Sequence, residues 1–148
     1  IIINKSIFSK VSSSVILISI LYIFSSPSLK KKNEIKWKKF DETILKEYIN
    51  SEQLIFLDFT ADWCVTCQLN KLTTLDSKKL QKYFNKNDVK LLRGDWSEKD
   101  EKILNFISKF ERYGIPVNII YGPGDKQGVL LPEILTKDIV INELNLIK

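Results

Sequence analysis

Asp62-Trp63-Cys64-Val65-Thr66-Cys67 decides how this chain is read. It holds the only two cysteines in 148 residues, spaced C-x-x-C. The apolar run Leu54-Ile55-Phe56-Leu57-Asp58-Phe59 before it predicts a buried strand with one acid in it, and Gln68 to Thr74 after it can continue as a helix. A cysteine on the first turn of a helix faces unpaired backbone N–H groups and the positive end of the helix dipole. Both favour the thiolate, which is the nucleophile. A second cysteine three residues on lies on the same helix face, within disulfide reach. Such a pair can open and close as a redox switch.

Two duller readings compete with this one. Half of a zinc site would need further ligands, and two cysteines with no histidine cannot complete a four-ligand set within one chain. A metal shared between two chains stays open. A static disulfide would close a very small loop and constrain the unfolded chain little.

The length predicts one domain, and an apolar fraction of 44% is enough for a core. The net charge of +5 is unevenly spread: residues 1–39 carry eight lysines and one glutamate, whereas residues 40–148 carry 15 basic and 17 acidic side chains. The basicity is not a property of the predicted globular part, which argues against a nucleic-acid-binding domain.

Val11 to Leu29 contains no charged residue, a window of 19 residues. That is just long enough to cross a bilayer as a helix. Seven serines dilute it, so a cleaved signal segment or a buried soluble helix are the alternatives. Residues 1–29 are read as a transmembrane helix or anchor, 30–39 as a lysine-rich linker and 40–148 as the folded domain. The lysines after the apolar window favour a cytoplasmic location for the folded domain. Methionine is absent, even at position 1, so a longer protein is expected upstream.

Within the domain, Asp41 is expected to cap a helix through Tyr48, and Gln53 to Phe59 to form a strand. Asp76 is expected to cap a helix through Phe84, and Val89 to Arg93 to form the next strand. Ser97 should cap a helix from Glu98 to about Tyr113, closed by Gly114. Val117 to Tyr121 reads as a strand, Gly122-Pro123-Gly124-Asp125 as a turn, and Val129 to Leu131 as a further strand. Thr136 is expected to cap a closing helix through Ile147. The order α-β-α-α-β-α-β-β-α predicts an α/β layered fold.

Leu57-Asp58-Phe59-Thr60-Ala61-Asp62-Trp63-Cys64-Val65-Thr66-Cys67, with Gly114-Ile115-Pro116-Val117 and Val129-Leu130-Leu131-Pro132-Glu133-Ile134-Leu135-Thr136, resembles the thioredoxin superfamily. The likeness is closest to the C-terminal domain of DsbD-type thiol:disulfide interchange proteins and covers residues 52–148. The resemblance implies a thioredoxin-like fold with a central mixed sheet flanked by helices, preceded here by a transmembrane helix. It implies a protein-disulfide reductase that receives electrons through an upstream membrane domain. Its partners would be protein disulfides, serving disulfide isomerases and cytochrome c maturation. The location implied is the bacterial inner membrane with the domain in the periplasm. That conflicts with the lysine cluster, but an upstream multi-helix domain can set orientation.

Roles are assigned by resemblance. Cys64, exposed at the helix start, would attack the partner disulfide, and the more buried Cys67 would resolve the mixed disulfide. Trp63 would wall the site. Asp58, six residues before Cys64, would relay the proton of Cys67. Pro116 would follow a cis peptide and lie against the cysteines. No cofactor is expected beyond the Cys64–Cys67 pair, and no metal. Lys71 stands where DsbD-type domains often carry an acid, and would favour the thiolate. Val65-Thr66 differs from the Gly-Pro of thioredoxin, so its redox potential does not carry over. A singly anchored reductase for cytochrome c assembly is the alternative within this chemistry, and a non-enzymatic module is the alternative outside it.

Overall fold

The computed structural model describes residues 36–148. The apolar window 11–29 and most of the lysine linker lie outside the described residues.

Five strands form one sheet in the order β1 (Lys38–Lys39), β3 (Lys90–Asp95), β2 (Ile55–Thr60), β4 (Val117–Gly122), β5 (Asp125–Leu130). β3 runs parallel to both β1 and β2, whereas β4 runs antiparallel to β2 and to β5. The sheet is therefore mixed, as the resemblance implied. β1 belongs to the sheet although its two residues fall in the stretch read as linker. No apolar alternation marks it, because both its lysines are exposed.

β2 lies at the centre and shows why the chain folds in layers. Side chains alternate across a strand. Ile55, Leu57 and Phe59 pack on one side with Leu45 of α1 (Glu42–Asn50) and with Ile103, Phe106 and Ile107 of α4 (Glu101–Ile107). Phe56 points the other way, with Leu54 beside it. They pack against Leu80 and Phe84 of α3 (Lys78–Lys86) and Val140 and Leu144 of α5 (Lys137–Leu146). A strand covered on both faces reads as a continuous apolar run, which β2 does from Ile55 to Phe59 except at Asp58.

The helix after the cysteines, α2 (Val65–Asn70), runs straight into a π-helical segment, Lys71–Leu75. Asn70 and Thr74 on this rod are buried and hold the segment before α5. Asn70 Nδ2 donates to the Glu133 carbonyl at 2.7 Å, its Oδ1 accepts from Leu135 N at 2.9 Å, and Thr74 Oγ1 donates to the Leu135 carbonyl at 2.9 Å.

Asp41 and Thr136 cap α1 and α5 as expected, and two other caps differ from the sequence reading. Asp76 closes the π-helical segment with its own N–H on the Lys71 carbonyl, so Ser77 caps α3 instead. Ser97 does not cap α4, because its hydroxyl is engaged on both sides: it donates to Asp95 Oδ1 at 2.6 Å and accepts from Asp62 N at 2.9 Å. Asp100 takes the cap, accepting from Lys102 N at 2.8 Å. α4 is also shorter than expected. A 3-10 turn, Ser108–Phe110, follows it, and Glu111 in the left-handed region ends it three residues before Gly114. β5 begins at Asp125, four residues earlier than predicted, because Pro123-Gly124 alone forms the hairpin loop.

Candidate active site

Cys64 is the N-cap of α2, with an extended backbone. Its sulfur is bonded to that of Cys67, with the two Cα atoms 5.2 Å apart. The Cys67 backbone N–H donates to Cys64 Sγ at 3.2 Å. One of the orphan donors of the helix start is thus spent on sulfur rather than on a side-chain oxygen. The same contact would support negative charge on that sulfur once the disulfide opens.

The two cysteines are equally hidden in this oxidised form. Cys64 is 6% exposed and Cys67 4%, so the expected exposure of Cys64 is not found. The bonded pair is turned inward onto Ala61 and Ile115. What stands out to solvent instead are its flanks, Trp63 and Val65.

The Ile115–Pro116 peptide is cis, and Ile115 packs on the cysteine pair. The expected cis-proline loop is therefore present and lies beside the disulfide. On the other flank, the loop after β3 holds the approach to Cys64. Trp63 Nε1 donates to the Ser97 carbonyl at 3.2 Å, and the Trp63 ring leans against Trp96 with centroids 6.1 Å apart.

Asp58 is buried on β2 in a network of its own. Arg93 Nε and Nη2 both reach Asp58 Oδ2 at 2.8 Å. Asn118 Nδ2 donates to Asp58 Oδ1 at 2.9 Å. Arg93 in turn stacks on Trp37, its guanidinium carbon 3.9 Å from the ring centroid. Burial pushes the Asp58 carboxyl above its ordinary range, while Arg93, Asn118 and Lys71 pull it down. Loss of hydration outweighs the pairing here. No hydrogen bond in the described residues joins Asp58 to either cysteine.

The thioredoxin-like family signature matches residues 36–123. This chain belongs to the thioredoxin-like family. Two Campylobacter jejuni proteins, each a thiol:disulfide interchange protein DsbD, are 30% identical to it over 82% of this chain and 25% of their own length. The chain thus spans about a quarter of the curated relatives it matches. Among solved structures, the Neisseria meningitidis DsbD C-terminal domain in its reduced form superposes with a TM-score of 0.58 at 16% identity. It covers 75% of this chain and all of that one. Chloroplastic thioredoxin z superposes with a TM-score of 0.56 at 20% identity, over 76% of this chain and 95% of that one. These structures share the fold. The DsbD type expected from the sequence is the one the relatives carry.

In this thioredoxin-like chain Ile115, the residue before Pro116, packs on Cys64 and Cys67, Trp63 precedes them in the chain, and Asp58 lies on β2. Sequence reasoning missed Ser97, Arg93 and Asn118. Two of these left a signal. Arg93 and Asn118 are each in register with Asp58 across β2. Each also interrupts an apolar stretch, Leu91-Leu92 before Arg93 and Val117 to Tyr121 around Asn118. A polar residue inside a predicted core strand calls for a buried partner.

Proposed function

We propose that this domain is the periplasmic reductase module of a DsbD-type transmembrane electron-transfer protein. In this reading residues 11–29 cross the inner membrane, and an upstream membrane domain supplies the electrons. The observation that carries the chemistry is the Cys67 N–H on Cys64 Sγ, beside the cis Ile115–Pro116 loop and the exposed Trp63.

In the reduced domain, the Cys64 thiolate attacks one sulfur of a partner disulfide and the other partner sulfur leaves as thiolate. Cys67 then gives up its proton, with Asp58 as the proposed acceptor, and attacks Cys64 Sγ. The partner leaves with both sulfurs reduced, and the domain keeps the Cys64–Cys67 disulfide. Two electrons have moved to the partner. A dithiol of the upstream domain returns the pair to its reduced state by the reverse exchange.

Trapping tests the assignment. Cys67→Ser should accumulate a reductant-sensitive covalent complex with a partner on non-reducing gels, whereas Cys64→Ser should form little. Equal trapping by both variants, or trapping by Cys64→Ser alone, would remove Cys64 as the nucleophile.

A further inference from the structure

Asn118 is the polar residue that the chemistry above does not use. It sits on β4 directly opposite Asp58, 1% exposed, in an otherwise apolar strand. Its carbonyl accepts from Leu131 N at 2.9 Å in the β4–β5 region. Its side chain makes a single hydrogen bond, Nδ2 to Asp58 Oδ1, and its own Oδ1 is buried without a partner among the described residues.

We propose that Asn118 is a positioning residue that holds Asp58 in both of its protonation states, donating to the carboxylate and, after its amide turns over, accepting from the acid. The geometry around Asp58 fixes where a proton can go. Oδ2 already accepts from Arg93 Nε and lies 2.8 Å from Nη2 of the same guanidinium, which keeps its charge throughout. A proton arriving on Asp58 therefore belongs on Oδ1, the oxygen that faces Asn118. A protonated Oδ1 is a donor, and it meets the Asn118 NH2 group, another donor. Turning the amide by half a rotation about its last bond replaces NH2 with Oδ1 in nearly the same volume. The acid then has its acceptor.

The orphaned Oδ1 is what makes the turn cheap. A buried amide oxygen normally has a partner that pins the group. Here no described residue holds the far end, so the turn only exchanges which end lacks a partner. Leucine in this position could serve neither state.

The charged groups bearing on Asp58 are Arg93 from β3 and Lys71 from the π-helical segment, with Asp95 interacting with Arg93 from the end of β3. The cysteines titrate only when reduced. The measurement is therefore made on the oxidised full chain, by following the Asp58 carboxyl 13C resonance against pH. Its loss in Asp58→Asn assigns it. Hydrogen bonds to a charged group are worth about twice those to a neutral one, so removing Asn118 harms the carboxylate more than the acid. Asn118→Leu should move the Asp58 midpoint upward, by about one pH unit. An unchanged or lowered midpoint overturns the proposal. Should the leucine variant fail to fold, Asn118→Ser and Asn118→Ala form a pair differing by one hydroxyl. The alanine midpoint must then lie above the serine one, and equal midpoints overturn the proposal.

The consequence for turnover rests on the reading of Asp58 as proton acceptor for Cys67, and it separates from that reading. Asn118→Leu should shift the pH profile of partner reduction by the same amount as the carboxyl midpoint. A profile untouched by Asp58→Asn would remove the relay. The resonance midpoint would still decide Asn118.

Discussion

Ser97 holds Trp63 in place from the end of the neighbouring strand. Its carbonyl accepts from Trp63 Nε1 at 3.2 Å, while its hydroxyl accepts from the Asp62 backbone N–H at 2.9 Å and donates to Asp95 at 2.6 Å. The two residues before Cys64 are thus tied to the loop after β3. Nothing comparable would form if the 97–100 loop were the first turn of a helix, as the sequence suggested.

Ser97→Ala should loosen the approach to Cys64. It removes the hydroxyl and leaves the Asp62 N–H unpaired. Because the site is a surface loop that water can reach, the stability cost should be about 1 kcal/mol. Reduction of a partner disulfide should slow by about three- to tenfold through misplacement of Trp63. Rate and thermal midpoint measured together check this. A stability loss with an unchanged rate would reduce Ser97 to an ordinary loop contact.

Cys64 should titrate below the free-cysteine value of about 8.5. The motivation is the N–H of Cys67 on its sulfur and its place at the helix start, with Lys71 further along the same rod. Alkylation of the reduced domain as a function of pH gives the midpoint. A value at or above that of a free thiol would show that the N–H contact belongs to the disulfide form alone.

Asp58→Asn should separate catalysis from stability. The folded chain holds the Asp58 carboxyl above its ordinary range, chiefly through burial, so the folded state keeps a proton that the unfolded state has released. That contribution is complete below the unfolded value, about 3.9, and is lost as pH rises through the folded one. Asparagine carries no such penalty. The difference in thermal midpoint between variant and wild type should therefore move in the variant's favour as pH is raised from about 4. Turnover should fall, by up to about 100-fold for a positioned proton acceptor. A difference that stays flat with pH would contradict the raised carboxyl.

Gly94→Ala should destabilise the domain by about 1–3 kcal/mol, an overpacking cost. A Cβ at Gly94 would overlap the Phe59 ring on the adjacent strand and crowd Ile103 Cδ1 at 3.3 Å. Both lie in the core between β2 and α4, where the neighbours are fully packed. Denaturant unfolding measures the loss. A midpoint equal to wild type would mean that Phe59 has room to move.

The local signals were strong wherever the chain alone decides its conformation. The apolar run before Cys64, the C-x-x-C spacing and the Asp41 and Thr136 caps were all legible. Each depends on a few consecutive residues and on backbone geometry. The caps at Ser77 and Asp100 were misread by one and three positions. Asp76 instead ends the π-helical segment through its backbone N–H, and the Ser97 hydroxyl is engaged by Asp62 from 35 residues away. The short strand Lys38–Lys39 was missed because a paired edge strand needs no apolar side chain.

The sequence by itself determined a layered α/β chain built around one redox pair, because periodicity, capping and the helix-start placement of Cys64 are local properties. The tertiary structure alone decided what surrounds that pair. Cys64 is tucked onto Ala61 and Ile115 rather than exposed, and Trp63 hangs from Ser97. Asp58 shares its charge between Arg93 and Asn118, residues that meet it only through strand register. Register is set by how the whole sheet closes over its two cores, and a buried charge is governed by whatever that closure places beside it.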